Sequence, residues 1–447
     1  MIAKLKAKLQ SPVFFLTVAN LFSAAVGFVS GMLTARWLGA GAYGVMGIIS
    51  AINGTALNFV DLRLSDVMAK MYFRKDLAEG EGAKRFRASL IQSSLLCYGG
   101  LSAFFFFLGL IANLFLPRFF TSQPVHWTWA LCSAAGSSIT YFVNPIGYMQ
   151  RLTGRFRLLG WQTMAGSILS SGMMVLCVFL QKSLDGYYLG FLLANFCGAA
   201  LAVGLALYAW IRLDGLPILG RVDLSALKVM REHSRFLMWG NFLGYIKLGH
   251  RSADVLLVGY FYNDSVTGLY KFARTLTDKF YMLFDAMNQV YFPTFMQMLS
   301  QGAAAAYRRM ATRILVATLV FTLAILGVEY LGLPYFMTLV LKGKFAGVEP
   351  IIMIMTIPFF FVTGMYIWMW PLVLHHNLAG RFTVFSVLAV LAQYAVGILG
   401  FGIFQRLEAF PSGYVGHYVL LITLLGVLVY RRFSEMVPFG GPGKAKK

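Results

Sequence analysis

Residues 145–156 read PIGYMQRLTGRF, and residues 371–382 read PLVLHHNLAGRF. Pro145 precedes Gly154-Arg155-Phe156 at the spacing that separates Pro371 from Gly380-Arg381-Phe382, and the two copies lie 226 residues apart. Each copy closes one long apolar run and opens the next. Tyr43-Gly44 against Gly268 and Tyr270 is a looser match at an offset of 224–227. A glycine that caps a helix and an arginine at a membrane edge would mean little alone. Recurring at one offset, they mark an internal repeat covering half the chain.

The repeated unit is a set of membrane spans. Of 447 residues, 59% are apolar and 12% charged, against the ~25% charged typical of soluble domains. Mean hydropathy is +0.70. These values exclude a soluble enzyme, a disordered chain and a secreted disulfide scaffold. A helix needs ~20 apolar residues to cross the hydrocarbon core. Twelve runs qualify: 12–36, 43–69, 88–114, 125–150, 157–180, 186–211, 236–261, 266–299, 311–331, 349–374, 382–405 and 413–430. Six spans per copy is an even number, so both copies point the same way across the membrane, as in parallel-repeat transporters. The expected fold is an all-α polytopic membrane protein of twelve transmembrane helices. Residues 1–211 and 236–447 form two six-helix lobes, the second with a short basic tail, and 212–235 is a basic linker holding an amphipathic helix.

Charge distribution orients the chain. The formal net charge of +21 could point to nucleic acid, but the cations sit in short clusters between apolar runs. With the N-terminus inside, 26 Lys and Arg fall on the inner side, 6 in the outer connections and 6 within spans. This bias places both termini in the cytoplasm. The basic start at Lys4, Lys6 and Lys8 resembles a signal peptide, yet its apolar run continues to about Leu33, so it reads as a first span. Cys97, Cys132, Cys177 and Cys197 all lie in apolar runs without a CxxC pattern and read as packing residues.

Motifs for soluble chemistry fail on context. Gly39-Ala40-Gly41-Ala42-Tyr43-Gly44 matches GxGxxG, with Asp61 downstream. That fingerprint needs a preceding β-strand, whereas apolar helices flank this one; the glycines read as a tight turn between packed helices. There is no GxxxxGK[ST]. Adjacent His375 and His376 point in different directions on a helix, with no Cys or carboxylate at ligand spacing. Neither a metal, a cofactor nor a catalytic residue is expected, and no connection is long enough for a catalytic loop.

The informative residues are charges inside spans, since each costs ~2.5–3.5 kcal/mol at a bilayer centre and therefore faces protein or a water-filled cavity. Span 2 carries Asp61, Arg63 and Asp66; span 7 carries Lys247, His250, Arg251 and Asp254; span 8 carries Lys271, Arg274, Asp278, Lys279 and Asp285; and span 9 carries Glu329 near its outer end. Lys247, Arg251 and Asp254 form one helical stripe. Lys271, Arg274, Asp278 and Asp285 form another. Structurally, Arg63–Asp66 and Arg251–Asp254 read as ion pairs joining helices. Functionally, the cations concentrated on spans 7 and 8 read as an anion site, and arginine's planar fork suits pyrophosphate.

The opening Ala35-Arg36-Trp37-Leu38-Gly39-Ala40-Gly41-Ala42-Tyr43-Gly44 resembles the R-x-LG-x-x-x-YG start of polysaccharide-biosynthesis flippases of the Wzx type. These belong to the multidrug/oligosaccharidyl-lipid/polysaccharide (MOP) exporter superfamily. Twelve spans, short loops and a length near 450 extend the similarity over the whole chain. The resemblance implies a flippase in the bacterial inner membrane. It would carry an undecaprenyl-pyrophosphate-linked oligosaccharide to the outer leaflet for surface polysaccharide, by alternating access. Membrane lipids and other polysaccharide-assembly proteins would be its partners, and nucleic acid would not. Arg63, Lys247, Arg251, Lys271 and Arg274 would line a cationic cavity, with Asp61, Asp66, Asp254, Asp278 and Asp285 as pairing or coupling carboxylates. One rival is a cation-coupled drug exporter of the same superfamily. Such exporters resemble one another in carrying an acidic residue in the first helix, and span 1 here has none. The other rival, an envelope polymerase or ligase, is disfavoured by the short loops and the repeat.

Overall fold

A computed structural model describes residues 12–61, a few positions between 62 and 72, and residues 81–213, 253–376 and 378–436. The described residues form helices and short connections, with no strand among them. In chain order the helices are α1 (Pro12–Val60), α2 (Glu81–Phe115), α3 (Trp127–Leu152), α4 (Phe156–Gln181), α5 (Leu184–Tyr208), α6 (Ala253–Phe261), α7 (Asp264–Ser300), α8 (Ala304–Leu339), α9 (Glu349–Phe359), α10 (Ile367–His375), α11 (Ala379–Phe404) and α12 (Ala409–Met436). Eight segments among the described residues are long and apolar enough to cross a membrane.

The described helices fall on the expected spans, with residues 236–252 of span 7 and most of 62–69 of span 2 outside the described residues. At 49 residues α1 would run ~74 Å if straight, more than twice the hydrocarbon thickness. It breaks at Gly39, whose φ of 80° and ψ of 173° are non-helical. The first GxGxxG glycine therefore makes the corner between spans 1 and 2, a conformation that a Cβ would strain. Span 10 consists of α9 and α10 joined by a wide π-turn, Phe360–Tyr366. Pro358 and Pro371 flank that turn, each removing an N–H from the helical ladder. The Trp368 indole N–H donates to the Gly364 carbonyl at 2.9 Å, satisfying one acceptor in the widened turn.

The chain divides into two compact units, Met1–Gly268 and Leu269–Lys447. Apart from Arg212 and Leu213, the expected linker 212–235 lies outside the described residues. In the first unit the core gathers Met68, Met71, Leu90, Phe105, Tyr141, Met149 and Trp210. In the second it gathers Phe295, Tyr307, Ile367, Leu372, Ala389 and Leu425. Large apolar side chains such as Val328, Leu331, Leu339, Leu399 and Phe404 remain exposed along the helices. On helices of this length they form the lipid-facing surface.

Equivalent segments of the two repeats fold alike. Helices α4 and α11 follow the two Gly-Arg-Phe motifs, and each has 26 residues. Each ends on a left-handed non-glycine residue, Lys182 (φ 48°) and Gln405 (φ 51°). Those residues donate their N–H to the carbonyls of Val178 and Phe401, closing the helix in the same way. Each helix then turns back into a close antiparallel partner, α5 or α12. A Cβ on Gly186 of α5 would lie 2.7 Å from the Cys177 carbonyl oxygen, and one on Gly413 of α12 would collide with the Gln393 carbonyl. Lipid cannot drive apolar helices together, so small residues that let backbones approach are what hold such a hairpin.

Candidate functional site

Helix α7 carries most of the described intramembrane charge. Asn263 caps it, its Oδ1 accepting from the Val266 N–H at 2.9 Å. Asp264 in the first turn sits at the positive end of the helix dipole and accepts from the Ser122 hydroxyl at 2.7 Å. Within the first unit, this end of α7 crosses α1 at Gly44 and Gly268. A Cβ on Gly44 would lie 2.9 Å from Gly268 N, and one on Gly268 would lie 3.0 Å from Gly44 N. Each would also overlap the partner helix's carbonyl four residues earlier, Asp264 or Ala40. The contact is thus locally two-fold symmetric, and its two glycines are those of the looser sequence match.

Further along α7, in the second unit, the predicted stripe is present. Lys271 is half-buried, Arg274 is 4% exposed and Asp278 is exposed. Arg274 Nε lies 3.5 Å from Asp278 Oδ1, one helical turn away. Because Asp278 reaches solvent, its attraction is screened. On another side, the Arg274 guanidinium lies 4.3 Å from the centroid of the Tyr414 ring on α12. That distance is well inside the reach of a cation–π contact, which strengthens as water is removed. Tyr414 meets Tyr281 edge to face at 6.4 Å and Tyr418 at 5.2 Å. Tyr281 in turn packs on Phe359 at 6.1 Å, and His417, also buried, lies 5.0 Å from Tyr418. A buried guanidinium among phenol groups can bind an anion through charge-assisted hydrogen bonds and stack flat faces such as sugar rings.

Of the other predicted residues, Asp254 on α6 is buried and its Oδ1 accepts from the Val255 N–H at 2.9 Å. Asp61 follows α1, half-buried, with its carboxylate beside the Tyr141 hydroxyl. Asp285 lies on α7 with its side chain outside the described residues, as are Arg63, Asp66, Lys247 and Arg251 altogether. The expected pairs Arg63–Asp66 and Arg251–Asp254 therefore fall outside the described residues too. His375 and His376 set their rings nearly perpendicular, with centroids 5.1 Å apart. Among the described residues no cluster of three or more His, Cys, Asp or Glu could hold a metal.

Two polar groupings are not legible as such in the sequence. In the first unit, Asn113 Nδ2 donates to Asn53 Oδ1 at 2.7 Å and Asn53 Nδ2 donates to Ser133 Oγ at 2.6 Å, tying α1, α2 and α3 through their interiors. In the second, Glu329 on α8 is 6% exposed and meets Thr356 on α9, with Oγ1–Oε1 at 2.8 Å. Glu329 stands out in the sequence as a charge within a span. Nothing marks Thr356, 27 residues away and uncharged.

This architecture is shared with solved transporters. A multidrug resistance MATE family transporter of the MOP superfamily, in an inward-facing conformation, superposes with a TM-score of 0.69 at 13% identity, covering 95% of this chain and 96% of its own. The eukaryotic MATE transporter AtDTX14 gives 0.62 at 13% identity over 96% and 98%. The MATE multidrug transporter DinF-BH gives 0.63 at 16% identity over 95% of each chain. The fold is therefore that of MOP-superfamily transporters. Residues 10–299 match the model of the polysaccharide biosynthesis protein family, and the chain belongs to that family. No curated protein sequence matches it.

Proposed function

We propose that the protein is a flippase that moves an undecaprenyl-pyrophosphate-linked oligosaccharide from the cytoplasmic to the outer leaflet of the bacterial inner membrane by alternating access. The observation that carries this reading is Arg274, a buried guanidinium lying on the Tyr414 ring in a member of the polysaccharide biosynthesis family. A cationic drug needs a carboxylate or an open aromatic box, and an enclosed guanidinium repels it. Pyrophosphate needs fixed cations, and sugars stack on flat rings. The MOP fold accommodates such a difference: for a MOP superfamily transporter from Pyrococcus furiosus, of TM-score 0.59 and 13% identity to this chain, a reversed polarity of the binding pocket is taken to suggest a different function.

Arg63, Lys247, Arg251, Lys271 and Arg274 then supply the cationic lining. Asp61, Asp66, Asp254, Asp278 and Asp285 balance or couple it. Both termini face the cytoplasm, and the protein translocates its lipid without catalysing a covalent change. The deciding experiment is deletion of the gene in its host, followed by extraction of lipid-linked saccharides, with drug susceptibility measured in parallel. Accumulation of complete oligosaccharide units on the carrier, together with loss of surface polysaccharide, is the expected result. Unchanged lipid intermediates with raised susceptibility to cationic drugs would overturn it in favour of an exporter.

A further inference from the structure

Glu329 occupies the second unit, on α8, ten residues before that helix ends at Leu339. At 1.5 Å per residue the carboxyl lies ~15 Å inside that end. It is 6% exposed. Its Oε2 has no hydrogen-bond partner among the described residues, and its Oε1 lies 2.8 Å from Thr356 Oγ1. Thr356 is fully buried, and its Oγ1 also lies 3.0 Å from the Ile352 carbonyl oxygen, one turn back on α9.

A threonine hydroxyl has one proton and two lone pairs. The Ile352 carbonyl can only accept. When the Thr356 proton goes to that carbonyl, the carboxyl must supply the proton for the second contact, so Glu329 is then a neutral acid. When Glu329 is ionised, Thr356 turns its proton to the carboxylate and Ile352 loses its side-chain donor. With the carboxyl protonated, the 2.8 Å and 3.0 Å contacts are both full two-centre hydrogen bonds; with it ionised, the single Thr356 proton has to be shared between the two acceptors.

The surroundings agree. The segments packed most closely on α8 are α9 and the π-turn Phe360–Tyr366. Their titratable groups are Glu349, in the first turn of α9, and Tyr366; neither segment carries Lys, Arg or His. On α8 itself, Tyr330 and Tyr335 are exposed. Arg308, Arg309 and Arg313 lie sixteen or more residues away, ~24 Å or more along the helix. Among the described residues of these segments a carboxylate has no cation beside it, a setting that suits a carboxyl which carries its proton when closed and releases it when opened to water.

We propose that Glu329 and Thr356 form a proton-binding site through which substrate movement in this protein is coupled to protons. In one state the carboxyl is closed against Thr356 and neutral. On exposure to water its O–H bond breaks, the electron pair stays on the carboxylate and the proton passes to water. The hydroxyl of Thr356 reports the change to α9, directly before the π-turn where span 10 is least regular. The coupling half of this inference rests on the flippase reading above. The proton-binding half does not.

Two measurements on the full-length protein test it. The first is pH-difference infrared spectroscopy of the purified protein in lipid. A protonated-carboxyl band present in the wild type and absent in Glu329→Gln is expected; a spectrum unchanged by that substitution overturns the site. The fold survives Glu329→Gln, because the new side-chain amide can itself donate to Thr356 as the neutral acid does. The second uses vesicles of phosphatidylethanolamine and phosphatidylglycerol containing a fluorescent polyprenyl-pyrophosphate disaccharide as probe. With one proton per cycle, an imposed gradient of one pH unit shifts the leaflet distribution of the probe by up to about tenfold. Glu329→Gln should lose that shift, and Thr356→Val should reduce it. A gradient response kept intact in Glu329→Gln overturns the coupling. A probe that the wild type does not move at all counts against the flippase reading instead, and the infrared band then decides the proton site alone.

Discussion

Gly44 and Gly268 are each other's counterpart, and neither leaves room for a methyl group. Replacing Gly44 or Gly268 by Ala should lower stability by about 1–3 kcal/mol or more, because backbone rather than a movable side chain stands in the way. Thermal melting in detergent checks this, with Gly172→Ala and Gly204→Ala as controls. Those glycines lie in α4 and α5 with open space where the Cβ would go. In a helix interior their substitution should be neutral or stabilising by up to ~1 kcal/mol. Arg274 is the second residue whose chemistry is specific. Arg274→Lys keeps the charge but loses the planar group that lies on Tyr414. With ~0.5–2 kcal/mol at stake in such a contact, transport should fall roughly 2- to 30-fold while the protein still inserts. A full loss of folded protein in Arg274→Lys would mark a purely structural role.

At the level of the element, helix ends and breaks separate what local sequence dictates from what packing imposes. Prolines flank the π-turn of span 10 and glycine makes the corner of α1, as their missing N–H and missing Cβ lead one to expect. The ends of α4 and α11 obey no such rule. Lys182 and Gln405 adopt the left-handed conformation without being glycine. That conformation costs an L-residue about 1–2 kcal/mol. Lys182→Gly and Gln405→Gly should therefore each raise the melting temperature, an unusual outcome for a change to glycine, which a melting curve of each single variant would read. A lowered melting point in both would show that these side chains make contacts outweighing the backbone strain. The charged stripe on α7 also belongs here. Its steps of three and four are readable in the sequence, and the structure puts Arg274 and Asp278 in contact one turn apart. The tyrosines that receive Arg274 are not readable, because aromatic residues recur throughout so apolar a chain and their periodicity singles out no pair.

For the whole molecule, the prediction concerns charge along the transport path. Arg251→Glu and Lys271→Glu should each abolish complementation of the deletion strain while membrane insertion, read by fractionation, stays intact. Wild-type function in both would overturn the cationic cavity. The exporter alternative predicts the reverse sensitivity, with neutralisation of Asp61 or Asp254 being the damaging change.

The sequence by itself determined the class of molecule. Spans announce themselves because lipid accepts only long apolar helices, and the repeated Pro and Gly-Arg-Phe spacing divides twelve of them into two sixes. It also located the charges, since any ionised group in so apolar a chain stands out. Tertiary structure alone decided which groups on other helices receive those charges. It placed Gly44 against Gly268, laid Arg274 on Tyr414 and set Glu329 against Thr356. The physical reason is that membrane insertion depends on summed hydropathy along one helix, which the sequence carries in order. Partner choice depends on which faces of separate helices touch, and the partners here are uncharged groups that hydropathy does not distinguish from ordinary packing.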